Sequence, residues 1–144
     1  MEEQQAKKKV LFLCTHNSAR SQMAEALLND FGGGRFEVCS AGTQPTDMNQ
    51  EAVKVMQEIG IDISHNRSKS VTTYANNTFD YVVSVCDINS EQCPVFPGAT
   101  NTLKWNFRDP AMTVGSDEQK LTAFRTLRDE ISAKITQELL PLLQ

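Results

Sequence analysis

The sequence predicts an α/β fold: a single-domain, three-layer sandwich in which four strands form a mostly parallel sheet with helices on both faces. Three observations carry this. Short apolar runs at residues 10–13 and 81–85 are almost unbroken, as in strands buried on both faces. Segments between such runs place apolar residues at i, i+3, i+4 and i+7, the helical period. Strand-like and helix-like segments alternate along the chain, the order that parallel crossovers require. At 144 residues, the chain 1–144 is expected to form one domain with a core that needs no staples, its residues 1–8 fraying.

Val10, Leu11, Phe12 and Leu13 form the first strand, and a small polar loop from Cys14 to Arg20 follows it. Ala24, Leu27, Leu28 and Phe31 mark one face of the first helix, which Gly32, Gly33 and Gly34 stop. Residues 36–39 alternate in polarity as a second strand, with Cys39 in the sheet as a structural thiol. Residues 40–47 are loop by composition. A second helix spans residues 49–59, with Ala52, Val53, Met56 and Ile59 inward and Gly60 as its left-handed cap. Residues 64–77 are polar, with a short helix near 71–75. Residues 81–85 form a central strand, with Cys86 at its carboxyl end. A fourth strand passes through residues 102–105, and residues 106–110 form a loop. A long helix covers residues 117–140, with Leu121, Phe124, Leu127, Ile131, Ile135 and Leu139 inward.

Composition narrows the function. A net charge of −4 and a pI near 5.2 lack the basic footprint of a nucleic-acid binder. Lys7, Lys8 and Lys9 precede an apolar run too short for a signal peptide, and nothing reaches the length of a membrane span. A cytoplasmic monomer is expected, touching neither membrane nor nucleic acid. In a reducing compartment, the four cysteines Cys14, Cys39, Cys86 and Cys93 suggest transient rather than permanent bridges. No zinc-ribbon spacing accompanies them, and His16 and His65 are not expected to complete a metal site.

Ligands of such sheets bind at the carboxyl ends of the strands. Cys14, Cys86 and Asp109 all follow strand ends, so they are expected on one rim. Between Cys14 and Arg20, the loop residues Thr15, His16, Asn17, Ser18 and Ala19 are short enough to curl their backbone N–H groups around one anion. The helix that follows adds its positive end, Arg20 adds a planar fork of donors, and Ser18 and Ser21 add hydroxyls. That field favours a thiolate, so Cys14 reads as a nucleophile aimed at a tetrahedral oxyanion. The competing reading makes Cys14 a small apolar residue closing a strand. Asp109 reads either as a general acid, free of helical capping duties, or as an ordinary Asp-Pro turn.

Cys86 and Cys93 separate two enzyme classes. A phosphatase needs one thiolate and an acid, whereas reduction of an oxyanion needs two electrons, which a pair of thiols supplies by closing a disulfide. Arsenate accepts two electrons under these conditions and phosphate does not. If residues 87–92 are helical, Cys86 and Cys93 stand roughly 10 Å apart at about 1.5 Å per residue. A disulfide needs Cα atoms within about 7 Å. This segment is therefore expected to unwind on oxidation, carry Cys93 toward the site and expose the bridge to a reductant.

The loop from Cys14 to Arg20 continues as Ser21-Gln22-Met23-Ala24-Glu25. Together with Ser40-Ala41-Gly42, Gly60-Ile61-Asp62-Ile63-Ser64, the Cys86 and Cys93 pair, and Trp105-Asn106-Phe107-Arg108-Asp109-Pro110, it resembles the thioredoxin-coupled arsenate reductases. These share the low-molecular-weight protein tyrosine phosphatase fold, and the likeness runs over residues 9–140. It implies that Cys14 attacks arsenate while Arg20 and the loop amides hold the oxyanion. Ser21 then supports the thiolate and Asp109 is the acid. It implies that Cys86 next displaces arsenite from Cys14, and that a Cys86–Cys93 disulfide is finally reduced by thioredoxin, with no bound cofactor. Phosphate and sulfate are the expected competing oxyanions, and three placed cysteines favour thioredoxin over glutathione as reductant.

The sequence departs from that family at three places. His16 stands where glycine is frequent, and Ala19 where many relatives have cysteine. Some relatives hold potassium beneath the loop; Asn17, Glu25 and Ser40 match three of its ligands, but Lys69 stands in place of the acid. No metal is therefore expected. The alternatives are a low-molecular-weight tyrosine phosphatase, which usually has aromatic residues where Ala111, Met112 and Thr113 follow the Asp-Pro pair here, and a non-enzymatic redox or anion-binding module.

Overall fold

The apolar run at the head of the chain forms the second strand of a four-stranded sheet. A computed structural model describes residues 7–32, 34–87 and 95–143. The strands are β1 (Lys8–Cys14), β2 (Phe36–Gly42), β3 (Phe79–Ser84) and β4 (Ala99–Lys104), in the spatial order β2-β1-β3-β4. Every pairing is parallel. All four carboxyl ends therefore face one edge, and the order reverses between β1 and β3, where a crevice opens.

Val10 to Cys14 are all buried, and their pleat sends alternate side chains to opposite faces. Val10, Phe12 and Cys14 join the larger core, built with α1 (Arg20–Gly32), α2 (Gln50–Gln57) and α3 (Asp117–Lys134). Leu11 and Leu13 meet Ala41, Phe79, Val82 and Phe96 on the other face, which the 3-10 turn Val71–Tyr74 helps to cover through Val71 and Tyr74. The layers are thus unequal. Phe12 stacks toward Trp105, ring centres 5.9 Å apart, and Trp105 meets Phe107 edge-on at 6.3 Å. Burying one such ring contributes about 2–3 kcal/mol. No helix among the described residues is long and apolar enough to cross a membrane.

Several boundaries differ from the sequence reading. Lys8, expected in a frayed end, pairs with Phe36. β2 continues through Ser40, Ala41 and Gly42, which pair with Phe12, Leu13 and Cys14; backbone pairing overrides their loop-like composition. α2 stops at Gln57, capped by Asn49, whose side chain accepts from the Ala52 amide. Ile59 is consequently 45 % exposed in the turn where Gly60 takes φ +82°, and Val55 fills the inward place instead. The last helix begins in a capping box of Ser116 and Gln119. It leaves α geometry at Ile135, passing through a π turn (Ile135–Leu139) and a 3-10 turn (Leu140–Leu143). Pro141 has no N–H to continue the α ladder.

Two salt-bridged arginines join α2 to α3. Arg125 and Arg128 reach Glu58 at 2.8 and 3.0 Å, and the Arg125 guanidinium holds the Glu58 carboxyl below its ordinary range.

Candidate active site

The loop between β1 and α1 curls because one residue in it adopts a left-handed conformation. Asn17 has φ +51°, the only positive value among the described non-glycine residues. Asparagine tolerates that region better than most residues. The turn brings the Asn17 amide to 3.1 Å from the Cys14 sulfur, to which it donates. Gly42 lets the loop approach β2, since a Cβ there would lie 2.6 Å from the Thr15 carbonyl oxygen and 2.9 Å from the Asn17 nitrogen. Residues after β2 then lace onto the loop: the Gln44 amide donates to Thr15 O at 2.8 Å and the Thr46 amide to His16 O at 3.1 Å.

Asn17 is fully buried and fully used. Its Nδ2 donates to Ser21 Oγ at 2.7 Å. Its Oδ1 accepts from Gln22 Nε2 at 3.0 Å and from the Lys69 amide at 2.8 Å, and Ser68 Oγ donates to its carbonyl at 2.7 Å. Gln22 in turn donates to Arg67 O at 2.9 Å and accepts from Asn66 at 3.1 Å. Residues 66–69 thus buttress the loop. Gln22, Asn66, Ser68 and Gly42 had no place in the sequence reading as supporting residues. The one sequence signal for Gln22 is a polar residue at a helix position that proves wholly buried.

Ser21 Oγ lies 2.8 Å from the Cys14 sulfur. Toward a Cys14 thiolate, which can only accept, the Ser21 hydroxyl is the donor, while its oxygen accepts from Asn17 Nδ2. Cys14 is 2 % exposed and free of any disulfide, and it faces a cleft shared with His16, Ser18, Ala19, Arg20 and Asp109. Arg20 opens α1, is 3 % exposed, donates to Phe107 O at 3.1 Å and stands 3.6 Å from Asp109. The structure therefore brings together Cys14, the loop, Arg20, Ser21 and Asp109. Asp109 is not free of capping duties, however: it accepts from the Ala111 amide at 3.0 Å and caps the 3-10 turn Pro110–Met112. A proline at N1 makes that cap favourable.

Cys86 lies two residues beyond β3, the strand adjoining β1. It is disulfide-bonded and fully buried, and its carbonyl accepts from the Phe107 amide at 3.4 Å. Exposure of the bridge, expected from the sequence, therefore does not extend to its Cys86 end. Cys93, and all of the segment expected to unwind except Asp87, lie outside the described residues. Cys39 is a free, partly buried thiol whose pKa burial pushes up, in keeping with a structural role.

Beneath the loop, Lys69 Nζ approaches Glu25 Oε1 at 3.7 Å and Ser40 Oγ at 3.5 Å, while Ser40 donates to Glu25 at 2.5 Å. An ammonium group already faces two of the three matching potassium ligands, and Asn17 Oδ1 is committed to Lys69 N and Gln22. These residues do not fit a monovalent metal ion.

Residues 9–143 match the model of the low molecular weight phosphotyrosine protein phosphatase family. An arsenate reductase of Halalkalibacterium halodurans is 43 % identical over 129 residues, 90 % of this chain and 93 % of that protein. Among solved structures, an arsenate reductase in the phosphate binding state superimposes with a TM-score of 0.79 at 31 % identity, covering 95 % of this chain and 99 % of the other. A thioredoxin-dependent arsenate reductase of Corynebacterium glutamicum gives 0.71 at 29 % identity, covering 96 % of this chain and 62 % of that one.

Proposed function

This chain belongs to the low molecular weight phosphotyrosine protein phosphatase family, and within it we propose an arsenate reductase that works by a three-cysteine relay coupled to thioredoxin. One observation carries the reading. Cys14 closes β1 and Cys86 follows the carboxyl end of the adjacent parallel strand β3 at the switch point, the first free and the second disulfide-bonded. A hydrolase of this fold needs only the first sulfur.

Loop amides and the Arg20 guanidinium bind arsenate, and the Cys14 thiolate attacks arsenic. An As–O bond breaks, and Asp109 protonates the departing oxygen, which leaves as water. The Cys86 thiolate then attacks the Cys14 sulfur. The S–As bond breaks with its electron pair going to arsenic, so As(V) becomes As(III) and leaves as arsenite. A Cys14–Cys86 disulfide remains. Cys93 attacks Cys86, freeing Cys14, and the dithiol of thioredoxin reduces the Cys86–Cys93 bridge. Cys86 is fully buried, which closes that sulfur to direct attack by an external thiol. The net reaction converts arsenate and a dithiol into arsenite, water and a disulfide, a detoxification of arsenic.

The same cradle would bind phosphate, but Ala111 and Met112 line the cleft and offer a phosphotyrosine ring no aromatic wall. The test couples the purified protein to thioredoxin, thioredoxin reductase and NADPH. Arsenate-dependent NADPH oxidation is expected, and its loss in Cys14→Ser, Cys86→Ser and Cys93→Ser alike. Full turnover in Cys86→Ser or Cys93→Ser overturns the relay. Hydrolysis of a phosphotyrosine peptide with no arsenate-dependent oxidation returns the chain to the phosphatases.

A further inference from the structure

We propose that the His16 imidazole is a second oxyanion-recognition group: neutral, it selects an anion that still carries a proton, and protonated, it adds a positive charge to the cradle. The proposal deepens the reductase reading and rests on it for the location of the anion.

His16 lines the cleft beside Cys14 and Arg20. Its Nδ1 lies 3.1 Å from the Gln44 carbonyl oxygen. A carbonyl only accepts, so in the neutral ring Nδ1 carries the hydrogen and Nε2 is left with a lone pair. The Gln44 carbonyl is itself fixed, because residues 44–46 are laced to the loop through Thr15 O and His16 O. No hydrogen bond to Nε2 comes from the described residues, so that nitrogen is available to a ligand.

The chemistry follows from what Nε2 can do. A lone pair accepts from the O–H of hydrogen arsenate or hydrogen phosphate, and it repels a bare anionic oxygen. Once protonated, Nε2 donates to either. The other charged or titratable groups lining this cleft are Cys14 and Arg20 from its own loop and α1, Asp47 from the segment after β2, Glu51 from α2, and Asp109 after β4. A probe is needed that does not itself titrate. Sulfate serves, since it is a bare dianion at both pH values used below.

The experiment is calorimetric titration of the reduced protein with sulfate and, separately, with phosphate, at pH 5.5 and pH 8. The wild type is compared with His16→Gln and His16→Gly. In the wild type, sulfate affinity is expected to fall about tenfold between the two pH values, as befits loss of one charge-assisted hydrogen bond. At pH 8, phosphate is expected to bind several-fold better than sulfate. In His16→Gln, which keeps bulk in the loop, and in His16→Gly, the pH dependence of sulfate binding should be several-fold smaller than in the wild type, the remainder coming from Cys14. The preference for phosphate should shrink to within about twofold. Equal pH profiles in the wild type and His16→Gln overturn the proposal, as does failure of the wild type to bind sulfate at pH 5.5. Neither readout requires arsenate turnover. An inactive reductase with an intact His16-dependent profile refutes only the reductase reading, and an active one with a flat profile refutes only the role of His16.

Discussion

The Ser21 hydroxyl stands 2.8 Å from the Cys14 sulfur, with Asn17 Nδ2 donating to its oxygen at 2.7 Å, so that toward a thiolate it is the donor. Together with the Asn17 amide, it gives the nucleophile two donors from its own loop and helix. Ser21→Ala removes one of them. A hydrogen bond to a charged group is worth about 1.5–3 kcal/mol, so alkylation of Cys14 by iodoacetamide at pH 7 is expected to slow about tenfold or more. Mass spectrometry of the reduced protein measures this directly. An unchanged rate means that the hydroxyl does not serve the sulfur.

Asn17 does two things, and two substitutions separate them. Asn17→Gly retains the left-handed backbone at φ +51° but deletes the side chain that joins Ser21, Gln22 and the Lys69 amide. Unpaired buried groups are expected to lower stability by about 2–3 kcal/mol. Asn17→Ala adds backbone strain of about 1–2 kcal/mol to that loss. Urea denaturation of the two variants should therefore order them wild type, glycine, alanine. Equal midpoints for the two variants would show that the backbone conformation costs nothing there.

Asp109 tests how far capping and acid catalysis are separable. Asn at this position still accepts from the Ala111 amide but has no proton to give. Asp109→Asn is expected to lower kcat/KM for arsenate by about 10²–10⁴-fold, the usual yield of a general acid. Phosphate inhibition should persist or tighten, because a carboxylate 3.6 Å from Arg20 has been neutralised. Loss of both activity and phosphate inhibition would assign Asp109 to holding Arg20 rather than to proton transfer.

The parts of this molecule legible in the sequence are those fixed by local pattern. Unbroken apolar runs gave β1 and β3, the helical period gave α1 and α3, and the strand-end rule put Cys14, Cys86 and Asp109 near one edge. What is not legible there depends on contacts distant in the chain. Ser40, Ala41 and Gly42 look like a loop until they pair with β1, and the use of Gly42 appears only once Thr15 and Asn17 are seen against it. Gln22 reads as a surface helix residue, and its burial is set by Arg67 and Asn66, more than forty positions away. Ile59 looked inward by periodicity, but the helix ends before reaching it.

Lys69 should make potassium irrelevant. Its ammonium stands 3.7 Å from Glu25 and 3.5 Å from Ser40, partly shielded from water. Turnover at constant ionic strength is expected to be the same in potassium, sodium and choline salts. Lys69→Asp exchanges the ammonium for an oxygen donor beside Glu25 and Ser40, so that variant should be impaired in choline and regain activity in potassium. Strong potassium activation of the wild type would show that the ammonium does not fill the site.

Trp105 reports on a carboxylate behind the acid loop. Glu138, in the π turn, accepts from Trp105 Nε1 at 3.2 Å and from Lys134 Nζ at 2.7 Å. Lys134 first, and Trp105 second, hold the Glu138 carboxyl below its ordinary range. A lowered folded pKa means stability that is present above the unfolded value, near 4.3, and lost as pH falls through the folded one. At 35 % exposure the side chain is well screened, so the contribution is expected to be under about 1 kcal/mol. Trp105 is the only tryptophan, which makes its emission specific to this contact. Wild-type emission should shift below pH 4.3 before global unfolding, while Glu138→Gln, which keeps an acceptor but no charge, should give a flat trace over the same range. The two proteins should differ in stability at pH 7 and converge at the acid end. An identical acid transition in both would place the titrating group elsewhere and leave the π turn with packing as its only role.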